Sequence, residues 1–158
     1  YRLAPDLSLT QLLSNITVSN GIAFSQEENI MYFADTPTGL IQKFEYSQGF
    51  KKLHELDSNL IFNDVGVPDG ATIDSQNNYW SARVRGKCII CIDTKKEKIL
   101  KKIDLPTATP TCLTFGGPDS SKLFVTSLRA EPINDSADGN LYKVETDIKG
   151  PQQLLSEI

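Results

Sequence analysis

One short pattern occurs three times along the chain, and this repetition constrains the fold more than any other feature. Its copies begin at Gly21, Gly70 and Cys112, about 40–50 residues apart. Each copy is a short apolar strand, a polar turn and a second strand that carries aromatic residues, as in residues 21–34. Two further strand-like runs separated by turn residues follow, which in the first copy are residues 40–46 and 50–56. Every copy is therefore predicted to form four short antiparallel strands.

Four strands in a unit of this length are typical of one blade of a β-propeller. A β-sandwich is the competing all-β fold, but it does not predict the same cassette three times in succession. No segment keeps a 3.6-residue apolar period over ten positions, so helix is expected to be scarce. The innermost strands are predicted at residues 21–25, 71–74 and 113–116, with Ile22, Phe24, Ile73 and Phe115 near the axis or between blades.

The strand count predicts about three and a half blades of a larger ring. Residues 1–16 read as the outer strands of a preceding blade, and residues 17–63, 64–106 and 107–158 as three blades. A propeller needs at least four blades to close, and an open stack exposes apolar blade faces. The remaining blades are expected from a missing N-terminal half or from self-association through the open faces.

The composition narrows the choice of partners and compartment. The net charge is −4, with scattered basic residues, which argues against a nucleic-acid partner. No apolar run approaches the roughly 18–20 residues that cross a bilayer, so no membrane association is expected. Three cysteines do not suggest a disulfide framework and favour a reducing, cytoplasmic location.

Two features that could indicate chemistry are better explained by structure. Cys88 and Cys91 have the CxxC spacing of redox and zinc sites, but residues 87–93 read as a strand. Positions three apart on a strand face opposite sides, so the two sulfurs should diverge. His54 is the only histidine, and no Ser/Asp pair suggests a triad around it, so it is interpreted as a surface or edge residue.

Three motifs in order resemble the gluconolactonase/SMP-30/luciferin-regenerating enzyme family. They are Ser-Asn-Gly-Ile-Ala-Phe-Ser at residues 19–25, Val-Pro-Asp-Gly-Ala-Thr-Ile-Asp at residues 67–74 and Pro-Thr-Cys-Leu-Thr-Phe-Gly-Gly-Pro at residues 110–118. The resemblance implies a six-bladed propeller of which this chain is the C-terminal half. It also implies one divalent cation at the mouth of the central channel.

The resemblance implies that Asn20 and Asp69 are metal ligands, each standing just before an innermost strand. The family's third ligand, an early Glu, and its Arg, Asn and Glu sugar contacts would belong to the missing half. Oxygen donors suit Ca²⁺ first, with Mg²⁺, Mn²⁺ or Zn²⁺ as alternatives. Taken alone, Asn20-Gly21 and Asp69-Gly70 are better explained as simple turns.

The implied activity is hydrolysis of a sugar-type lactone. The cation would act as Lewis acid and water activator, and Asp69 is the candidate catalytic residue, as ligand and general base. The alternatives are a non-catalytic Ca²⁺-binding or regulatory propeller and a metal-dependent ester or phosphotriester hydrolase. In each case Asn20 and Asp69, 49 positions apart in sequence, would meet around one ion. Asp69 would bind the ion more strongly than the neutral Asn20.

Overall fold

The computed structural model describes residues 1–25, 27–47, 49–56, 65–129 and 136–151. The described residues form thirteen β-strands and one 3₁₀ turn, Thr36–Thr38. No helix in this part of the chain is long and apolar enough to cross a membrane. In chain order the strands are β1 Arg2–Leu3, β2 Leu9–Thr10, β3 Ser19–Ser25, β4 Ile30–Asp35, β5 Ile41–Glu45, β6 Lys51–Glu55, β7 Val67–Ile73, β8 Tyr79–Val84, β9 Cys88–Asp93, β10 Lys98–Asp104, β11 Pro110–Gly116, β12 Lys122–Ser127 and β13 Leu141–Glu145.

Neighbouring strands in sequence pair antiparallel, so each sheet is a simple meander. β3–β6 form one four-stranded sheet, β7–β10 form a second, and β11–β13 form a third sheet with three described strands. The third copy is also expected to have a fourth strand, in the sequence Pro-Gln-Gln-Leu-Leu-Ser at residues 151–156, and this run lies outside the described residues apart from Pro151, which is not in a strand. The N-terminal pair, β1 with β2, is a two-residue ladder, much shorter than expected. The prediction of an all-β partial propeller is confirmed.

The innermost strands β3, β7 and β11 begin two to four residues earlier than predicted. The sequence prediction placed Asn20 and Asp69 in loops just before these strands, and this placement is wrong. Both residues lie inside a strand, because β-bulges let each strand continue through the glycine motif.

The middle blade is covered on both faces, and strand alternation decides which side chain goes to which side. Tyr79 packs toward the first blade with Tyr32 and Ile41, whereas the next residue, Trp80, packs toward the third blade with Phe115. All five of these side chains are buried. Each large apolar side chain buried in this way contributes about 1.5–3 kcal/mol to folding, so these two interfaces fix the blades against each other.

The outer face of the first blade is apolar and open. Ile22 is 56 % exposed and Phe24 is 46 % exposed, whereas Ile73 and Phe115 are buried between blades as expected. A cavity of about 410 Å³ lies on this face, bounded by the N-terminal segment and by side chains that include Met31. The first blade therefore presents a surface that another blade could cover.

Candidate metal centre

Each innermost strand contains a β-bulge at the same end. The pairing register shifts between Asn20 and Ala23 in β3, between Pro68 and Ala71 in β7, and between Pro110 and Cys112 in β11. A bulge adds one unpaired residue and turns nearby side chains away from the regular alternation. The three motifs found in the sequence are therefore three bulges.

Two glycines in these bulges allow the blades to approach closely. Gly21 has a φ of 59°, and a Cβ there would lie 2.8 Å from the Cβ of Ala34 and 3.3 Å from the carbonyl oxygen of Asp69. A Cβ on Gly70 would lie 2.6 Å from the Sγ of Cys112 and 2.8 Å from its Cα. The Asn-Gly and Asp-Gly pairs are thus positions of tight blade packing within strands rather than hairpin turns.

Asn20 and Asp69, which come from neighbouring blades, interact with each other. Burial raises the pKa of the Asp69 carboxyl above its usual value, because the charged form loses water. Hydrogen bonding to the Asn20 side chain and to the Gly70 backbone N–H partly opposes this increase in pKa. The structure thus brings the two predicted ligands into one half-buried place.

A relay of hydrogen bonds connects this pair to the end of β4. The Asn20 amide Nδ2 donates to the Thr36 hydroxyl at 2.9 Å, and the Thr36 hydroxyl donates to the Pro68 carbonyl at 2.8 Å. Pro68 directly precedes Asp69, so Thr36 joins the chain segments of both candidate ligands. The sequence analysis did not identify Thr36, and its only signal was a polar residue directly after β4.

Two more side chains hold the Asn20 segment from outside the bulge. The fully buried Tyr79 hydroxyl donates to the Gly21 carbonyl at 2.7 Å. The Asp35 carboxylate accepts hydrogen bonds from the backbone N–H groups of Thr17 at 3.1 Å and Val18 at 2.8 Å. Asp35, the last residue of β4, therefore holds the segment that leads into β3.

A small cavity of about 240 Å³ opens beside the bulges. Its lining includes Asn20 and Gly21 from the first blade, Gly70 from the second and Cys112 from the third. All three described blades therefore converge on one small, mostly apolar space with the Asn20 side chain at its edge.

The donors at this place fit a hard cation in kind but not in number. An amide oxygen and a carboxylate are the ligand types that Ca²⁺ and Mg²⁺ prefer, and Ca²⁺ takes six to eight oxygens. Among the described residues no group of three or more His, Cys, Asp or Glu side chains could hold a metal ion. Asn20 and Asp69 can thus form part of a cation site whose other donors are water, ligand or residues from elsewhere.

The two cysteines of the CxxC motif are not a site. Cys88 is buried in the core between the first and second blades, and Cys91 is buried in the core between the second and third. The sulfurs therefore diverge, as predicted. Burial raises the pKa of both thiols, that of Cys91 to about 12, so neither is a ready nucleophile.

The lone histidine makes a contact between blades. The Nε2 of His54 lies 2.7 Å from the Oε1 of Glu97, which sits in the turn between β9 and β10. It lies on β6, an outer strand of its sheet, in agreement with its interpretation as a surface or edge residue.

The sequence pattern of the SMP-30/Gluconolactonase/LRE-like region family matches residues 1–129, and the chain belongs to this family. The 6-deoxy-6-sulfogluconolactonase of Pseudomonas putida is 34% identical over 150 residues, which cover 91% of this chain and 51% of that protein. A luciferin-regenerating enzyme has a solved structure that superimposes with a TM-score of 0.84 at 29% identity, over 94% of this chain and 52% of that one.

A third similar protein is the calcium-binding protein regucalcin of Agrobacterium tumefaciens. Its structure superimposes with a TM-score of 0.83 at 26% identity, over 96% of this chain and 54% of that one. The chain thus spans about half the length of the relatives and structures that it matches.

Proposed function

We propose that this chain is part of a divalent-cation-dependent lactonase that hydrolyses a sugar-type lactone, and that Asn20 and Asp69 are two of the cation's ligands. The observation that carries the proposal is the convergence of the Asn20 and Asp69 segments from neighbouring blades, joined through the Thr36 hydroxyl, beside a small cavity. The family relatives support the substrate class, since one is named a sulfogluconolactonase, and they support Ca²⁺ as the first candidate cation, since another is named a calcium-binding protein. Mg²⁺, Mn²⁺ and Zn²⁺ remain alternatives for the same donors.

Each residue has a distinct part in this proposal. Asp69 supplies the negative charge that attracts a cation, and its half-buried position strengthens that attraction because little water screens it. Asn20 supplies a neutral amide oxygen. A divalent cation held there supplies Lewis-acid polarisation of a lactone carbonyl and favours ionisation of water.

Asp69 is also the proposed general base. Burial raises the pKa of its carboxyl, which makes this carboxylate a stronger base than that of an exposed aspartate. Gly21 and Gly70 let the blades pack closely around the Asp69 segment, because a side chain at either position would collide with neighbouring atoms. A small ester could approach this segment through the cavity that Gly70, the residue next to Asp69, lines.

The test measures Ca²⁺ binding by isothermal titration and lactone hydrolysis with a panel of sugar lactones, using the full-length protein. Asp69→Asn should abolish hydrolysis and remove most of the cation affinity, and Asn20→Ala should weaken binding less because it removes a neutral ligand. Asp119→Asn is the matched control, because Asp119 lies in the turn at the opposite end of the third blade.

Two outcomes would contradict parts of the proposal. Cation binding that survives Asp69→Asn unchanged would show that the site lies elsewhere. Binding that depends on Asp69 but brings no turnover of any lactone would favour a calcium-binding regulatory propeller.

The assembly is part of the same proposal. The open face of the first blade carries Ile22 and Phe24 over an apolar cavity, and the chain spans about half the length of its relatives. We propose that this face packs against the preceding blades of a ring, supplied by a missing N-terminal half or by a second copy. Residues 1–158 alone should aggregate or associate in analytical ultracentrifugation, and a monodisperse monomer with cooperative unfolding would contradict this.

A cytoplasmic location is also proposed, because all three cysteines are free.

A further inference from the structure

The Thr36 hydroxyl occupies an unusual position between two blades. It lies at the first residue of the 3₁₀ turn after β4, and it contacts the Asn20 side chain at 2.9 Å and the Pro68 carbonyl oxygen at 2.8 Å. Asn20 lies on β3 of the first blade, whereas Pro68 lies on β7 of the second blade. One hydroxyl therefore touches the segments that carry both proposed ligands.

The direction of each hydrogen bond follows from the chemistry of the partners. A threonine hydroxyl has a single hydrogen, and a carbonyl oxygen can only accept. The hydrogen of Thr36 therefore goes to Pro68, and Thr36 must accept from Asn20. The Asn20 amide nitrogen is consequently turned toward Thr36, and its amide oxygen points to another side.

This orientation matters because an asparagine binds a cation only through its oxygen. The two ends of a side-chain amide have nearly the same shape, so packing alone does not distinguish them. The Thr36 hydroxyl does distinguish them, because its hydrogen is donated to Pro68 and it can only accept a hydrogen bond from Asn20. An inverted amide would place its oxygen, another acceptor, against the Thr36 oxygen. Thr36 thereby selects one of the two amide orientations, with the nitrogen toward Thr36 and the oxygen away from that contact.

We propose that Thr36 is a positioning residue of the cation site: it sets the orientation of the Asn20 amide and fixes the start of the Asp69 segment relative to it. The inference rests on the proposed function of Asn20 and Asp69. The other nearby side chains act differently, because Tyr79 binds the Gly21 backbone and Asp35 binds backbone N–H groups before β3.

Calorimetric titration of the full-length protein with Ca²⁺ tests this role. Thr36→Val keeps the shape of the side chain and removes the hydroxyl, whereas Thr36→Ser keeps the hydroxyl. Loss of an outer-shell partner commonly weakens metal binding 10–100-fold. We expect Thr36→Val to weaken Ca²⁺ binding about tenfold or more, and Thr36→Ser to bind close to wild type. Equal affinity of Thr36→Val and wild type would overturn the inference.

A double-mutant cycle separates positioning from general support of the fold. If Thr36 acts through the Asn20 amide, Thr36→Val should cost much less affinity in an Asn20→Ala background than in wild type. Any loss that remains there reports the hydrogen bond to Pro68. A loss of the same size in both backgrounds would show that the amide is not the route, and the inference would be wrong.

The same experiment distinguishes this inference from the proposed function. If Asp69→Asn bound Ca²⁺ with wild-type affinity, the proposed cation site itself would be refuted. If Asp69→Asn lost Ca²⁺ affinity and Thr36→Val did not, only the role of Thr36 would be refuted. If Thr36→Val does not fold, Thr36→Ala removes the same hydroxyl with less bulk. In the wild-type protein, rapid solvent exchange of the Asn20 side-chain amide protons would also contradict the hydrogen bond on which the inference depends.

Discussion

The hydroxyl of Tyr79 should stabilise the protein through one buried hydrogen bond, and a neighbouring tyrosine offers a matched control. The side chains of Tyr79 and Tyr32 are both fully buried, and their ring centroids lie 5.3 Å apart. The Tyr79 hydroxyl donates to the Gly21 carbonyl at 2.7 Å. The Tyr32 hydroxyl has Thr94 in its vicinity but makes no hydrogen bond of ordinary geometry within the described part of the chain.

The expected magnitudes follow from this difference. Tyr79→Phe leaves the buried Gly21 carbonyl without its partner, which should lower the free energy of unfolding by about 1–3 kcal/mol. Tyr32→Phe removes a buried hydroxyl that lacks a good partner, so it should be neutral or slightly stabilising. The two changes delete the same atom from the same kind of ring in the same core, which leaves the hydrogen bond as the main difference.

Urea unfolding of the full-length protein, followed by circular dichroism, measures both variants. Because Gly21 adjoins Asn20, Tyr79→Phe should also weaken Ca²⁺ binding more than Tyr32→Phe does. Equal losses of unfolding free energy in the two variants would refute the reasoning, since the bond to Gly21 would then contribute nothing.

Three further predictions concern the site and its packing. Burial raises the folded-state pKa of Asp69, so the free energy of unfolding that this residue contributes should fall as pH rises from the ordinary Asp value near 3.9 through the raised pKa. Ca²⁺ affinity should fall as pH drops through the same window, because the carboxylate becomes protonated. Urea unfolding and Ca²⁺ titration at several pH values should show that both trends vanish in Asp69→Asn. Gly70→Ala should lower the free energy of unfolding in urea by about 1–3 kcal/mol, because its Cβ would collide with Cys112. Adding Cys112→Gly should recover part of this loss, and no recovery would mean that the strain lies elsewhere. A thiol reagent should label the exposed Cys112 in the native protein and reach the buried Cys88 and Cys91 only after denaturation, and rapid native labelling of all three would contradict the described packing.

The repeat in the sequence predicted much of the fold because a blade is a local structure. Consecutive strands pair by short turns, so the pattern of four strands in each copy carries the topology with it. Strand alternation also predicted the fate of Cys88 and Cys91, because two residues three apart on a strand cannot share a face. Both predictions needed only local sequence.

The starts of the innermost strands could not be predicted in the same way. Glycine, proline and aspartate near Gly70 are typical of turns, and the sequence analysis therefore placed the strand after them. A β-bulge accommodates the same residues within a strand, and the cause is the neighbouring blade: Gly70 lies against Cys112, which is distant in sequence. Contacts between blades leave no periodic signal in a single strand.

The supporting residues of the site were missed for a related reason. Thr36 and Tyr79 act on the Asn20 segment, but Thr36 follows a different strand and Tyr79 belongs to a different blade. Neither residue type is unusual at the end or start of a strand. Their roles depend on which hydroxyl reaches which acceptor, and only the packed structure determines that.

The three bulges also differ in the side chain that each one presents. In the repeat, the position of Asn20 and Asp69 is taken by Thr111 in the third blade. The Thr111 hydroxyl lies 2.9 Å from the hydroxyl of Thr126 on the adjacent strand, so it is engaged within its own sheet. The bulge recurs at the same end of each innermost strand, and the residue within it differs from blade to blade. The first two blades carry an amide and a carboxylate there, whereas the third carries a threonine whose hydroxyl makes a hydrogen bond between strands.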